Sequence, residues 1–162
     1  MKIRRAFSEE CVVLSEIAME SKAVWGYSQE FMDACQAELT YSEDYMSRHT
    51  VYTAVARSGE IAGFYSLRAL SPVCTEMDAL FVRPDYMRQG VGRALIEHAV
   101  LWAYQCGYHL MMIQGDPNAA GFYQTFGATL IGYADSTRFP GRKLPLFQIA
   151  LIDQVSAISA SL

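Results

Sequence analysis

The period of the apolar positions changes along the chain, and each change marks an element. Residues 2–6 alternate as a short strand does. From Ser8 the spacing turns helical through Val12, Val13, Glu16, Ile17 and Glu20, with Ser8 suited to cap the helix and acids in its first turn favoured by the dipole. Gly26 interrupts this pattern, and Ser28 restarts it as a second helix through Phe31, Met32 and Cys35. The intervening residues 21–27 are unusually aromatic for a linker. They read either as an apolar bridge that tucks two helices onto a sheet or as the wall of a binding cleft.

From Val51 the period falls to two. Residues 51–57 are rich in β-formers, Ser58-Gly59-Glu60 signals a hairpin turn, and residues 61–67 return as a second strand. A third strand, residues 74–82, is stopped by Pro84, which has no N–H for a ladder. After Gly90 and Gly92 a long helical pattern runs over 93–105, and Gly107 suits its termination. Residues 108–114 form a compact apolar run of strand length. Pro117 and Asn118 open a short helix that carries Phe122, Tyr123 and Phe126 and stops at Gly127. Strands over 129–134 and 144–151 complete the sheet, separated by the polar, basic loop 135–143. The order β-α-α-β-β-β-α-β-α-β-β predicts a single α/β domain over 1–162, a mixed twisted sheet of about six to seven strands flanked by about four α-helices, antiparallel in its front half.

Composition narrows the class. Of 162 residues 52% are hydrophobic and 19% charged, enough apolar material for one sizeable core and incompatible with disorder. With 13 basic against 17 acidic residues the net charge is −4 and no run of Lys or Arg occurs, so a nucleic-acid partner is not expected. A local anion site built from backbone N–H groups remains compatible with that charge. Cys11, Cys35, Cys74 and Cys106 form no CxxC or Cys/His cluster; reduced thiols in a cytoplasmic protein are expected, without a metal site. The basic start Met1-Lys2-Ile3-Arg4-Arg5 runs at once into Ser8-Glu9-Glu10, which leaves no room for a signal-peptide core. No apolar stretch reaches the roughly 18 residues of a membrane span, so no membrane partner is expected. His49, His98 and His109 lack any nucleophile context and read as structural or solvated.

Two segments carry the chemistry. The first, Leu80-Phe81-Val82-Arg83-Pro84-Asp85-Tyr86-Met87-Arg88-Gln89-Gly90-Val91-Gly92-Arg93-Ala94-Leu95, is a strand, a turn, two glycines at i and i+2, and a helix start. Glycines there let backbone approach a ligand, and the helix N-terminus offers N–H groups to an anion. A dinucleotide fingerprint would require a third glycine where Leu95 stands, and a P-loop would require a Gly-Lys-Ser/Thr ending. The second segment is Gly115-Asp116-Pro117-Asn118-Ala119-Ala120-Gly121-Phe122-Tyr123-Gln124-Thr125-Phe126-Gly127-Ala128.

Separated by one helix and one strand, these segments resemble the GNAT superfamily of N-acetyltransferases, whose element order the chain also resembles over nearly its whole length. The resemblance implies acetyl-CoA as cosubstrate, with Arg88, Gln89, Gly90, Val91, Gly92 and Arg93 as the pyrophosphate cradle. Leu80, Phe81 and Val82 would meet the pantetheine arm and the acetyl group through main-chain groups, with Asn118 and Phe122 also at the cofactor. Met87 stands where the family commonly has Arg or Gln, Arg88 where it often has Gly, and Asp116 where many members have Asn.

An alkylammonium must lose a proton before it can attack a thioester, so an acceptor for that proton is needed. Glu76, Asp78 and Leu80 share one face of a strand. That face reads either as a solvated outer surface or as a cleft wall; matching to the family favours Glu76 as base, directly or through water, with Asp78 second. Strand N–H groups near Phe81 or Val82 suit a developing oxyanion. Tyr123 reads as a core aromatic on burial habits alone, and as the donor to the departing thiolate once matched to the family's tyrosine position.

The family's acceptor pocket, carried over, points to Trp25, Tyr27, Phe31, Tyr65 and Arg138. Aromatic walls with carboxylates suit a cationic amine, and Arg138 suits an acceptor carboxylate. The reading is direct acetyl transfer to a small primary amine, amino acid or peptide end. Its alternatives are a non-catalytic acyl-CoA-binding or sensing domain and a protein-modifying acetyltransferase. For a homodimer, the apolar last strand (Leu144, Leu146, Phe147, Ile149) offers an edge for a second copy.

Overall fold

The computed structural model describes residues 1–161. Its strands are β1 (Lys2–Arg5), β2 (Thr50–Val55), β3 (Ile61–Ser71), β4 (Cys74–Val82), β5 (Leu110–Gln114), β6 (Thr129–Asp135) and β7 (Lys143–Ala150). Its α-helices are α1 (Cys11–Ala23), α2 (Gln29–Cys35), α3 (Glu43–Arg48), α4 (Val91–Gln105), α5 (Ala120–Phe126) and α6 (Leu151–Ala160). The strands form one mixed sheet in the order β1-β2-β3-β4-β5-β7-β6. Two compact units divide the chain: residues 1–67 with 79–96, and residues 68–78 with 97 onward, so β3, β4 and α4 run through both. No helix among the described residues is long and apolar enough to cross a membrane.

In the first unit β1, β2 and β3 pair antiparallel. The entry to α1 departs from the expected Ser8 cap. Ser8 lies inside a 3₁₀ turn, and Glu10 closes the turn by accepting from the Phe7 N–H at 2.8 Å while Arg4 holds its carboxylate at 2.6 Å. Leu14, Ile17 and Ala18 of α1 are fully buried. Ser28 does cap α2, accepting from Phe31 N at 3.1 Å. The short helix α3 was not legible as a period, yet Ser42 caps it in the same way through Tyr45 N.

In the second unit β4 pairs parallel with β5, while β7 pairs antiparallel with both β5 and β6. The long helix α4 ends in a double closure: Gly107, at φ +90°, donates to Tyr104 O, and Tyr108 N donates to Ala103 O. Tyr108 therefore ends the helix instead of opening β5. Leu151 likewise begins α6, an element beyond those predicted, with its N–H on His109 O at 3.0 Å. The expectation that the last strand offers an edge to a second copy is corrected: β7 is interior, because the β6–β7 hairpin places it between β5 and β6. The actual edges are guarded, β1 by Lys2, Arg4 and Arg5, and β6 by a bulge between Leu130 and Gly132.

Candidate functional site

In the first unit, β4 ends with Leu80, Phe81 and Val82 half-buried. Gly63 on β3 makes that placement possible. A Cβ there would lie 2.6 Å from the Phe81 carbonyl oxygen and 3.1 Å from Val82 Cα, so only a hydrogen fits. The chain then passes through a 3₁₀ turn, Pro84–Tyr86, into the loop before α4. There Arg88 has φ +59°, the non-glycine residue in the left-handed region among those described, and Gly90 follows at φ +82°. Side chains of Arg88, Gln89 and Arg93 reach the surface, Gly92 is half-buried, and Val91 is buried as the first anchor of α4. Gln89 Nε2 donates to Asp85 O at 2.6 Å, which turns its amide toward the turn it follows. The first N–H groups of α4 stand outside the intrahelical ladder, so an anion at this turn meets backbone donors even though Met87 supplies none from its side chain.

The linker after α1 is an aromatic surface. Trp25 is 44% exposed, and the rings of Tyr27 and Phe31 stack at 4.1 Å. Lys22 Nζ lies over both rings, 5.4 and 5.7 Å from their centroids, so this wall already carries an alkylammonium. Tyr65 does not join it. Every residue from Ile61 to Leu67 of β3 is buried, Tyr65 completely, with its ring stacked on Tyr52 at 5.5 Å. A strand covered on both faces presents no surface to an acceptor, so the expectation for Tyr65 is corrected.

In the second unit, β4 alternates: Thr75 and Met77 are buried, Glu76 half-buried and Asp78 exposed. Glu76 receives a fork from Arg68, whose Nε donates at 3.1 Å and whose terminal nitrogen closes the ion pair. Arg68 was not singled out by the sequence: counting back from the turn sets Ala69 opposite Glu76 and Arg68 opposite Met77, so the long guanidinium arm reaches Glu76 diagonally. Burial of Cys74, and then the charge of Glu76, push the Cys74 thiol up from its ordinary value.

Tyr123 on α5 is buried, with Phe122 edge-on at 5.3 Å and Phe147 at 5.6 Å. Its ring is so close to the chain that a Cβ on Gly115 would sit 2.9 Å from Cε2. Burial, and then the nearby charge of Asp116, raise the Tyr123 phenol well above its ordinary value, so it stays protonated and remains a donor. The sealed side-chain oxygen without a partner among the described residues is Thr53 Oγ1, not this phenol. Asp116 accepts from Asn118 N at 2.9 Å and from Asn118 Nδ2 at 3.0 Å, and Arg142 pairs with its other oxygen at 3.3 Å. The Asn118 amide thus serves the turn before α5, itself being exposed, as are Phe122 at 38% and Arg138 in the β6–β7 loop. Arg142 reaches Asp116 from the loop before β7, 26 residues along the chain, and left no local signal.

Residues 13–128 match the acetyltransferase (GNAT) family. The chain is 30% identical over 150 residues to the peptidyl-lysine N-acetyltransferase YjaB of Salmonella typhimurium, covering 92% of this chain and 97% of that one. It is 29% identical to the protein of the same name from Escherichia coli, covering 94% and 97%. Among solved structures, the PaiA N-acetyltransferase of Thermoplasma acidophilum in complex with coenzyme A superposes at a TM-score of 0.75, with 19% identity and 92% and 98% of the two chains covered.

Proposed function

The chain belongs to the GNAT family of acetyltransferases, and from that premise we propose that it transfers an acetyl group from acetyl-CoA directly to a primary amine of the lysine type. The observation that carries the cosubstrate is the turn before α4, where Arg88 holds a left-handed conformation ahead of Gly90 and the chain enters a helix N-terminus. A phosphate anion meets N–H donors there regardless of Met87. The family's preference for glycine at the Arg88 position has a physical cause in that φ.

The chemistry assigns one task to each group. The acceptor ammonium loses a proton to Glu76, directly or through water, with Asp78 second on the same face. The free amine attacks the thioester carbonyl, and a strand N–H near Phe81 or Val82 is the donor to the oxyanion. Collapse forms the C–N bond and breaks the C–S bond. The thiolate of CoA, as a thiol of ordinary pKa near 8.5, cannot strip a phenol of raised pKa, so Tyr123 stabilises it as a hydrogen-bond donor and the proton from nitrogen reaches sulfur through solvent.

Two observations support a lysine-like acceptor. The Tyr27–Phe31 stack holds the Lys22 ammonium, and the two relatives at 29–30% identity are named peptidyl-lysine N-acetyltransferases. Arg138 would pair with a carboxylate in an amino-acid acceptor, which makes it the discriminating residue for a small zwitterion.

The test is titration calorimetry with acetyl-CoA followed by thiol release against small amines, amino acids and lysine peptides. Binding with release driven by lysine peptides is the expected result. Release driven by a free amino acid, with KM raised in Arg138→Ala, would move the acceptor to the small-molecule class. Binding without release from any amine would favour an acyl-CoA sensor, and absence of binding would overturn the reading.

A further inference from the structure

Ahead of the strained loop lies a clasp that the proposed chemistry does not use. Arg83 is the last residue before the Pro84–Tyr86 turn, and its side chain is only 17% exposed. Its N–H donates to Ala62 O at 2.8 Å, and its guanidinium reaches Glu20 of α1 at 3.1 Å, the Ile61 carbonyl at 3.4 Å and Glu60 Oε1 at 3.5 Å. The other oxygen of Glu60 accepts from the Tyr86 hydroxyl at 2.8 Å. One carboxylate, standing in the β2–β3 hairpin turn, therefore grips both ends of the Pro84–Tyr86 turn. Within two residues of Tyr86 the backbone enters the left-handed region at Arg88. A non-glycine residue persists there only where its surroundings over-determine the conformation. The turn's own backbone bonds, Tyr86 N to Arg83 O and Met87 N to Pro84 O, stop short of Arg88, and the Gln89 amide reaches back across it to Asp85 O at 2.6 Å, so the turn that Glu60 grips is tied to both sides of Arg88.

We propose that Glu60 is a positioning residue for the cosubstrate: by bridging Arg83 and Tyr86 it holds the Arg88–Gly90 turn in the conformation that receives the pyrophosphate. This rests on the reading of that turn as the acetyl-CoA site. Glu60 is about half exposed, so its Coulomb attraction to Arg83 is largely screened; what it contributes is order, supplied before the ligand arrives. Ordering in advance affects affinity for the cosubstrate and leaves the chemical step alone.

The experiment compares wild type, Glu60→Ala, Glu60→Gln, Tyr86→Phe and the double variant Glu60→Ala/Tyr86→Phe. Readouts are the Kd for acetyl-CoA by calorimetry, KM and kcat for thiol release, and hydrogen exchange of the amides over 87–91. Losing one or two hydrogen bonds of ordinary net worth predicts a rise in Kd and KM of about 3- to 10-fold in Glu60→Ala, with kcat within about twofold of wild type. Glu60→Gln, which keeps an acceptor for Tyr86, should recover part of that loss. Because both residues act through one contact, the double variant should be no weaker than about the Glu60→Ala variant alone. Faster exchange over 87–91 should accompany the affinity loss. Unchanged Kd and exchange in Glu60→Ala would overturn the role of Glu60, as would fully additive losses or a fall in kcat and Tm with Kd preserved. Wild-type protein that binds no acetyl-CoA would overturn the underlying reading of the turn instead, a result distinguishable because it needs no variant.

Discussion

A side chain in the left-handed region costs roughly 1–2 kcal/mol, and Arg88 bears that cost at φ +59°. Arg88→Gly removes the strain but adds backbone entropy to the unfolded chain, which offsets about half of the gain. The variant should therefore be more stable by about 0.5–1 kcal/mol, seen as a higher Tm, while its affinity for acetyl-CoA falls by less than about threefold if backbone N–H groups carry the pyrophosphate. A larger loss would show that the Arg88 guanidinium itself does the work left undone by Met87. Tyr123 is argued by the opposite route, from a donor kept neutral. As the loss of one donor to a developing anion, Tyr123→Phe should lower kcat by about 100-fold and leave the KM for acetyl-CoA near its original value. The same substitution has a stability signature with a definite sign. The folded phenol titrates above the unfolded one, so its contribution is intact below pH 10 and is lost as pH rises from there toward the folded value. Wild type should lose stability over that alkaline range, and Tyr123→Phe should lose less.

At the scale of elements, the close approach of β3 to β4 is the feature that a single atom would break. Gly63→Ala drives a methyl group onto the Phe81 carbonyl, and backbone cannot step aside as a side-chain tip can. Overpacking of this kind should cost about 1–3 kcal/mol and weaken acetyl-CoA binding together with it, because Phe81 and Val82 must shift. Denaturant midpoints and calorimetry on the same sample would check both. The strand order of apolar runs made most of these elements readable: β4 occurs over the predicted residues 74–82, and Ser28 caps α2 as expected. Six-residue α3 was missed because it is too short to display a period, although Ser42-Glu43-Asp44 is a helix-start signature. Tyr65 was misplaced for a different reason. A run such as Ile61 to Leu67 states that a strand is buried, and only the helices packed on it decide that both faces are covered. Of the candidate site, the local motifs were legible, the Arg88 and Gly90 turn and the Tyr123 helix. The partners Arg68, Glu60 and Arg142 were not: Arg68 meets Glu76 diagonally across a hairpin, and Glu60 and Arg142 act from loops on residues more than 20 positions away, where sequence spacing carries no direct signal.

Over the molecule as a whole, response to acid can be assigned to a named group. Burial lowers the His98 imidazole below its ordinary 6.5, so the unfolded chain takes up that proton first. Stability should decline as pH falls from 6.5 through the folded value, and His98→Gln should flatten that limb of the Tm-against-pH curve. Ion pairs give the molecule a second collective property. Arginine is the cation in Arg4–Glu10, Arg48–Asp44, Arg68–Glu76, Arg83–Glu20 and Arg142–Asp116, and the chain has ten arginines against three lysines, Lys2, Lys22 and Lys143. A guanidinium stays protonated at any pH a cell reaches and never exposes the nitrogen lone pair that a thioester needs. In these five pairs a protein that works beside a reactive acyl donor is fastened with cations its own reagent cannot touch, whereas the pair of Lys143 with Asp135 is open to it. Prolonged exposure to excess acetyl-CoA should leave these five arginine pairs unmodified, with any side-chain acetyl groups found by peptide mass spectrometry confined to the three lysines.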